Sequence, residues 1–303
     1  MRRLIGITIS LCLLPNSGAE AQTNNTANTL ELKDDFVIPV TINGKAYRWE
    51  VVAEGGAIRL LNADVATALA LKPSMIGGGH MVGPVRLTAN SDSARIDYGG
   101  IRRKGRLFWM NRPASKISDG IVHPAMLPYS SVRFLLGSKT VSERETVMPL
   151  EGASIFGIGG GFGKFKYGDA EIHITINLKR QESLMTAPTA VLLATEQGGA
   201  FSEQQRQAII RFGVERPVRL LRFARPLSLF ERPVTAALVR VSDFGDASTI
   251  PDQTPVDQDE IIVTAKAKKK PQYSIILGRD FLKGCSSLTY DMKAKLIRLS
   301  CQP

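Results

Sequence analysis

The chain has 303 residues, of which 44% are hydrophobic and 22% charged. This is a globular composition at a length that fits two domains, and it excludes wholesale disorder. Lysine and arginine outnumber aspartate and glutamate by 39 to 28, a net charge of +11. Such an excess must be located before a nucleic-acid or membrane role is read into it.

The first 21 residues read as a secretory signal peptide. Met1-Arg2-Arg3 is basic, Leu4 to Leu14 is a short apolar run, and Pro15 interrupts it. Ala19-Glu20-Ala21 is a small-x-small cleavage site, with cleavage expected after about Ala21 and export to the periplasm or the medium. Cys12 lies inside this leader without a lipoprotein box around it. Removing Arg2, Arg3 and Glu20 with the leader takes the charge from +11 to +10. The apolar run is shorter than the ~18 residues a spanning helix needs, so no stable membrane insertion is expected.

Residues 22–34 are rich in Asn and Thr and read as a flexible lead-in. From Phe36 the texture turns to β. Phe36 to Ile42 and Lys45 to Val52 flank Asn43-Gly44, the strongest short hairpin signal. Glu54-Gly55-Gly56-Ala57 reads as a turn, and Asn62 to Leu71 as a short helix capped by Asn62 or Asp64. Val82–Leu87, Ala94–Tyr98, Gly105–Met110 and the segment from Asp119 to Val122 read as strands.

Residues 151–163 are glycine-rich, but they lack GxGxxG spacing and no GKS or GKT follows, so a linker is expected and not a phosphate loop. Beyond them Ala170 to Leu178 alternates as a strand. Ala190 to Thr195 reads as an apolar strand running into Glu196-Gln197-Gly198-Gly199-Ala200, and Ser202 to Phe212 as a helix. Val218–Phe223, Val234–Val241 and Tyr273–Leu277 read as strands, and Ser287–Asp291 with Lys295–Leu299 as a closing hairpin. Residues 243–271 form a charged insert that ends in Lys266, Lys268, Lys269 and Lys270, a solvated loop or a contact for anionic envelope components. The other basic residues spread over both halves with no stripe, so no nucleic-acid partner is expected.

Outside the leader two cysteines remain, Cys285 and Cys301, and an even count in an exported chain points to a disulfide. His80, His123 and His173 are scattered without ligand spacing, so no metal and no cofactor is expected.

The halves repeat one another. Placing Gly56-Ala57 on Gly199-Ala200, 143 residues apart, aligns an apolar strand, a Gly-Gly-Ala turn and a short helix in each. Each half also closes on a glycine turn beside an apolar pair, Asp119-Gly120-Ile121-Val122 in the first and Leu277-Gly278-Arg279-Asp280-Phe281-Leu282 in the second. Asp119 and Asp280 read as backbone caps of these turns.

These landmarks resemble the retropepsin and pepsin group of aspartic peptidases. The segments IPVTINGKAYRWEVV, GGAIRLLNADVATALAL, SDGIVHPAMLP and YSIILGRDFL carry the likeness, over about 36–130 and 272–299. The resemblance implies a mostly β chain of two acid-protease-like lobes, 35–150 and 164–303, made by internal duplication and joined by the 151–163 linker. Such enzymes hold one aspartate per lobe in a pair that shares a proton. Here Glu54 stands at the first aspartate position, followed by Gly55, Gly56 and Ala57. Gln197 stands at the second, followed by Gly198, Gly199 and Ala200, with Glu196 the nearest alternative acid. The resemblance therefore implies an exported, catalytically degenerate protein that binds extended peptide segments in the inter-lobe cleft. An active endopeptidase using a Glu54–Glu196 pair is one alternative, and a structural envelope protein is another.

Overall fold

The computed structural model describes residues 28–151, 161–243, 247–252 and 271–303. The leader, most of the glycine-rich linker and Lys266, Lys268, Lys269 and Lys270 lie outside the described residues.

The first half supplies ten strands: β1 (Thr29–Leu32), β2 (Val37–Ile42), β3 (Lys45–Val51), β4 (Arg59–Leu61), β5 (Gly78–Val82), β6 (Val85–Asp97), β7 (Arg102–Trp109), β8 (Gly120–Val122), β9 (Ser131–Leu135) and β10 (Arg144–Pro149). The second supplies β11 (Gly163–Tyr167), β12 (Ala170–Ile176), β13 (Leu184–Thr186), β14 (Gly199–Phe201), β15 (Arg206–Arg211), β16 (Val214–Leu229), β17 (Arg232–Arg240), β18 (Ser274–Leu277), β19 (Cys285–Asp291) and β20 (Leu296–Cys301). Among the described residues three short α-helices interrupt them, α1 (Ala63–Ala68), α2 (Ala187–Gln197) and α3 (Arg279–Leu282), with a 3-10 turn at Pro124–Met126. The chain is mostly β and builds two lobes, as expected.

Alternation makes the strands. In β2 Ile38, Val40 and Ile42 are buried and their neighbours are not; in β12 Ile172, Ile174 and Ile176 are fully buried. Period-two burial of this kind gives each sheet one core face. Asn43 and Gly44 take φ of 48° and 86° and close the β2–β3 hairpin as expected.

The duplication is real, but its register differs from the one the glycines imply. In the first lobe β3 runs parallel to β8, β4 antiparallel to β8, and β4 parallel to β7. In the second, β12 runs parallel to β18, β13 antiparallel to β18, and β13 parallel to β17. The strand-crossing loop of the first lobe is therefore 52–58, and its counterpart is 177–183. Residues 196–200 are not that loop. Ala190–Thr195, expected as a strand, lies within helix α2, which Pro188 starts in its first turn and Gly198 ends at φ 68°. Ser202–Phe212, expected as a helix, is mainly strand β15, because Phe212 and Gly213 both take positive φ and close a tight hairpin onto β16. Asn62 precedes α1 as expected, but its side chain does not cap it. Its amide bonds the backbone of Ala114, Ser115 and Ser118 instead.

A third sheet joins the halves in the order β1-β9-β19-β20-β10. The carboxy-terminal hairpin thus sits between strands of the first half. β1 lies within the expected flexible lead-in; it is ordered there because Leu32 is buried and the strand pairs in parallel with β9. Cys285 and Cys301 are cross-strand neighbours in that hairpin and form a disulfide. Replacing both by serine should lower stability by about 3 kcal/mol, the chain-entropy value for a loop near 15 residues. Thermal unfolding of the variant beside the wild type measures it, and an unchanged midpoint would show that the sheet does not need the link.

Candidate functional site

A cleft of about 590 Å³ opens where the first-lobe crossing loop, the second-lobe crossing loop and strand β15 meet. The strands fix which residues correspond. Val52 donates its N–H to the Val122 carbonyl at 2.9 Å, and Asn177 donates to that of Leu277 at 2.9 Å. Two residues further along each chain stand Glu54 and Lys179. Both line the cleft.

Glu54 accepts a hydrogen bond from the Asn177 side-chain amide, so the crossing loops touch directly. Lys179 turns to Glu50, 2.7 Å from Nζ to Oε1, and the Ser115 hydroxyl donates to the other Glu50 oxygen at 2.7 Å. Glu50 is almost wholly buried, and this pairing is what lets a carboxylate sit there. The third cleft acid, Glu182, takes both its contacts from Arg206, at 2.5 and 2.6 Å. Arg180 donates to the carbonyls of Ile209 and Ile210. Burial lowers the Arg180 pKa, and the charges of Glu54 and Glu182 act against that shift.

Arg211 lies at the centre of this arrangement. Its guanidinium packs 4.7 Å above the Phe212 ring and against Gly55. A side chain at Gly55 would put Cβ 2.2 Å from Nη2, and the glycine itself takes φ 89°. Burial lowers the Arg211 pKa, against the opposing charge of Glu54.

The floor is supported from the shared sheet. The buried Tyr290 hydroxyl donates to the Ala53 carbonyl at 3.0 Å, one residue before Glu54, and burial pushes its pKa up. The His123 ring stands edge-on to Tyr290 at 5.4 Å, and its Nδ1 accepts from the Ala125 N–H.

Beside the cleft the lobes close on one another. Val82 and Leu87 of the β5–β6 hairpin join Ile210, Val214 and Val218 of the β15–β16 hairpin in one buried apolar cluster. The hairpin tips interlock: His80 stands edge-on to Phe212 at 6.1 Å, and Gly83 lies so close to Asp243 that a Cβ would fall 2.0 Å from Oδ1. Asp243 is itself held by Arg216, at 2.8 Å, and by Arg240.

The expected site residues divide. Glu54 and Gly55 meet the second lobe through Asn177 and Arg211. Glu196 and Gln197 end helix α2, where the Glu196 carbonyl accepts from Arg225 and the Gln197 amide donates to the Tyr167 hydroxyl at 2.7 Å. The Glu196 side chain also bonds Tyr167 and raises its pKa, although burial is the larger cause of that shift. Gly198, Gly199 and Ala200 lead from the helix into β14. None of the residues 196–200 lines the cleft. Asp119 accepts the Arg48 N–H at 2.7 Å and Asp280 accepts that of Ser183 at 2.9 Å, so both brace turns as expected. Lys179 and Arg211 were not anticipated from sequence. Counting from the parallel partner of the Tyr273–Leu277 strand would have reached the first of them.

Among solved structures the chain is similar to the aspartic proteinase from Irpex lacteus. The match has a TM-score of 0.42 at 12% identity, covering 88% of this chain and 94% of that one. It is also similar to the EIAV protease, with a TM-score of 0.25 at 15% identity, covering 30% of this chain and 82% of that one. No family model matches, and no curated protein matches. No helix among the described residues is long and apolar enough to cross a membrane.

Two histidines, His123 buried and His80 half-buried, make stability depend on pH. Burial, then the charges of Arg211 and Arg240, hold the His80 pKa near 4; burial holds that of His123 near 3 against the pull of the Gly161 backbone. Both lie below the unfolded value of 6.5, so between 6.5 and about 4 the unfolded chain binds more protons. Stability should fall as pH drops through that window. Denaturant midpoints across it should fall less steeply for His80→Phe, which keeps the aromatic contact; equal slopes would remove His80 as a cause.

Proposed function

We propose that this is an exported, aspartic-peptidase-like protein that lacks a working carboxylate pair and binds extended peptide segments in its inter-lobe cleft. Lys179 carries the reading. The chemistry of such peptidases needs two carboxylates close enough to share a proton, one to activate water and one to protonate the leaving group. At the second-lobe position equivalent to Glu54 stands the Lys179 ammonium, bonded to Glu50, and the first-lobe acid is a glutamate held by an asparagine amide. The other two cleft acids, Glu50 and Glu182, are each bonded to a cation, so Glu54 has no carboxylic partner to share a proton with.

The cleft keeps features that suit a peptide. Its volume of about 590 Å³ falls in the range of ligand sites. Strand β15 borders it and, among the described residues, has a sheet partner on one side only, β16. Arg180 covers the Ile209 and Ile210 carbonyls, which leaves the Arg206–Ala208 stretch as an edge on which an extended chain can pair. Export rests on the leader-like first 21 residues and agrees with the Cys285–Cys301 disulfide.

An acidic-pH digest of an unfolded protein tests the loss of catalysis. The wild type is expected to cleave no faster than Glu54→Gln. Cleavage by the wild type that disappears in Glu54→Gln would restore a peptidase. Retention of a random peptide library on the immobilised protein is the expected sign of the groove.

A further inference from the structure

Five basic side chains line the cleft, and most are already engaged. Lys179 is bonded to Glu50, Arg206 to Glu182, and Arg180 to two backbone carbonyls. The three acids are engaged as well, since Glu54 is held by Asn177. Arg211 differs. It is placed by packing, between the Gly55 backbone and the Phe212 ring, and among the described residues no hydrogen bond and no ion pair within 4.0 Å reaches its guanidinium. A guanidinium offers five N–H donors in a planar fork matched to a carboxylate. Arg211 is half-buried and lines the cleft, so its unbonded donors are open to an anion entering there. Lys116 lines the same cleft, is exposed, and likewise meets no acid among the described residues.

We propose that Arg211 is the anchor for a single carboxylate carried by the bound ligand, namely the free carboxy terminus of an extended peptide lying along β15. The proposal rests on the peptide-binding reading above. Five cations against three acids leave the cleft net positive, which draws an anion in, and the planar fork of Arg211 matches the two oxygens of a carboxylate. The surroundings agree. Val52, Ala53, Ile121 and Leu238 also line the cleft and offer apolar surface, so the charge recognised is confined to one end. Arg211 here is a binding residue, and no chemical step is assigned to it.

The test compares one N-acetylated peptide library in two forms, with a free carboxy terminus and with a terminal amide. The free form should be retained at least about tenfold more strongly, the scale expected for a charge-assisted, bidentate contact in a partly desolvated site. Acetate should compete only with the free form. Arg211→Gln should abolish the preference and Arg211→Lys should keep part of it. A gain for internal glutamate equal to that for the terminus would overturn the terminal assignment. Equal retention of free and amidated libraries by the wild type overturns the carboxylate anchor and leaves peptide binding standing. Retention of neither overturns peptide binding. The anchor then stands or falls on small probes: benzoate must raise the thermal midpoint of the wild type where benzamide does not, and a null result overturns it. Because that arm uses the wild type alone, it holds even if the Arg211 variants fail to fold.

Discussion

The backbone ladder of the five-stranded sheet is the constraint on which the cleft depends. The hairpin of β19 and β20 comes from the end of the chain, yet its partners β9 and β10 come from the first half. The lobes therefore cannot drift apart without breaking sheet hydrogen bonds. The same hairpin carries Tyr290, whose buried hydroxyl fixes Ala53 and so the turn that presents Glu54 and Gly55. A hydrogen bond from a side-chain hydroxyl to a carbonyl 237 residues away in sequence sets the position of the side chains in the cleft.

On that base the two halves have diverged under different demands. Both keep the crossing topology and the inward-facing residues Leu60 and Leu184, fully or almost fully buried at equivalent register. They differ in the crossing loop. The first is small and glycine-rich, which allows Arg211 to lie against it. The second is polar and basic, and supplies Asn177, Lys179 and Arg180. A cleft whose three acids are each already bonded, and whose cations outnumber them, is suited to holding an anion and ill suited to sharing a proton between acids.

Much of the fold was legible because its signals are local. Asn43-Gly44, the alternation of Ala170–Leu178, the closing hairpin and the cysteine pair each carry their own physical cause. The first-lobe turn was legible for the same reason. The second-lobe turn was not. The Gly-Gly-Ala at 198–200 matches the first lobe in letters, but Pro188 starts a helix immediately upstream, and that helix displaces the matched segment from the cleft. The better guide was the apolar run before Gly278, whose partner strand β12 leads directly to Asn177. Arg211 lay outside any motif, because its role comes from tertiary packing against Gly55, which the sequence records only as a glycine with several possible reasons.

The interlocked hairpins bear on how the molecule yields. Val82, Val214 and their neighbours share one apolar core, and Asp243 with its two arginines clasps the tip at Gly83. Separating the hairpins would expose that core to water. The two halves are therefore joined by two different forces, backbone hydrogen bonds in the shared sheet and apolar side-chain packing at the hairpins, and cooling weakens only the second.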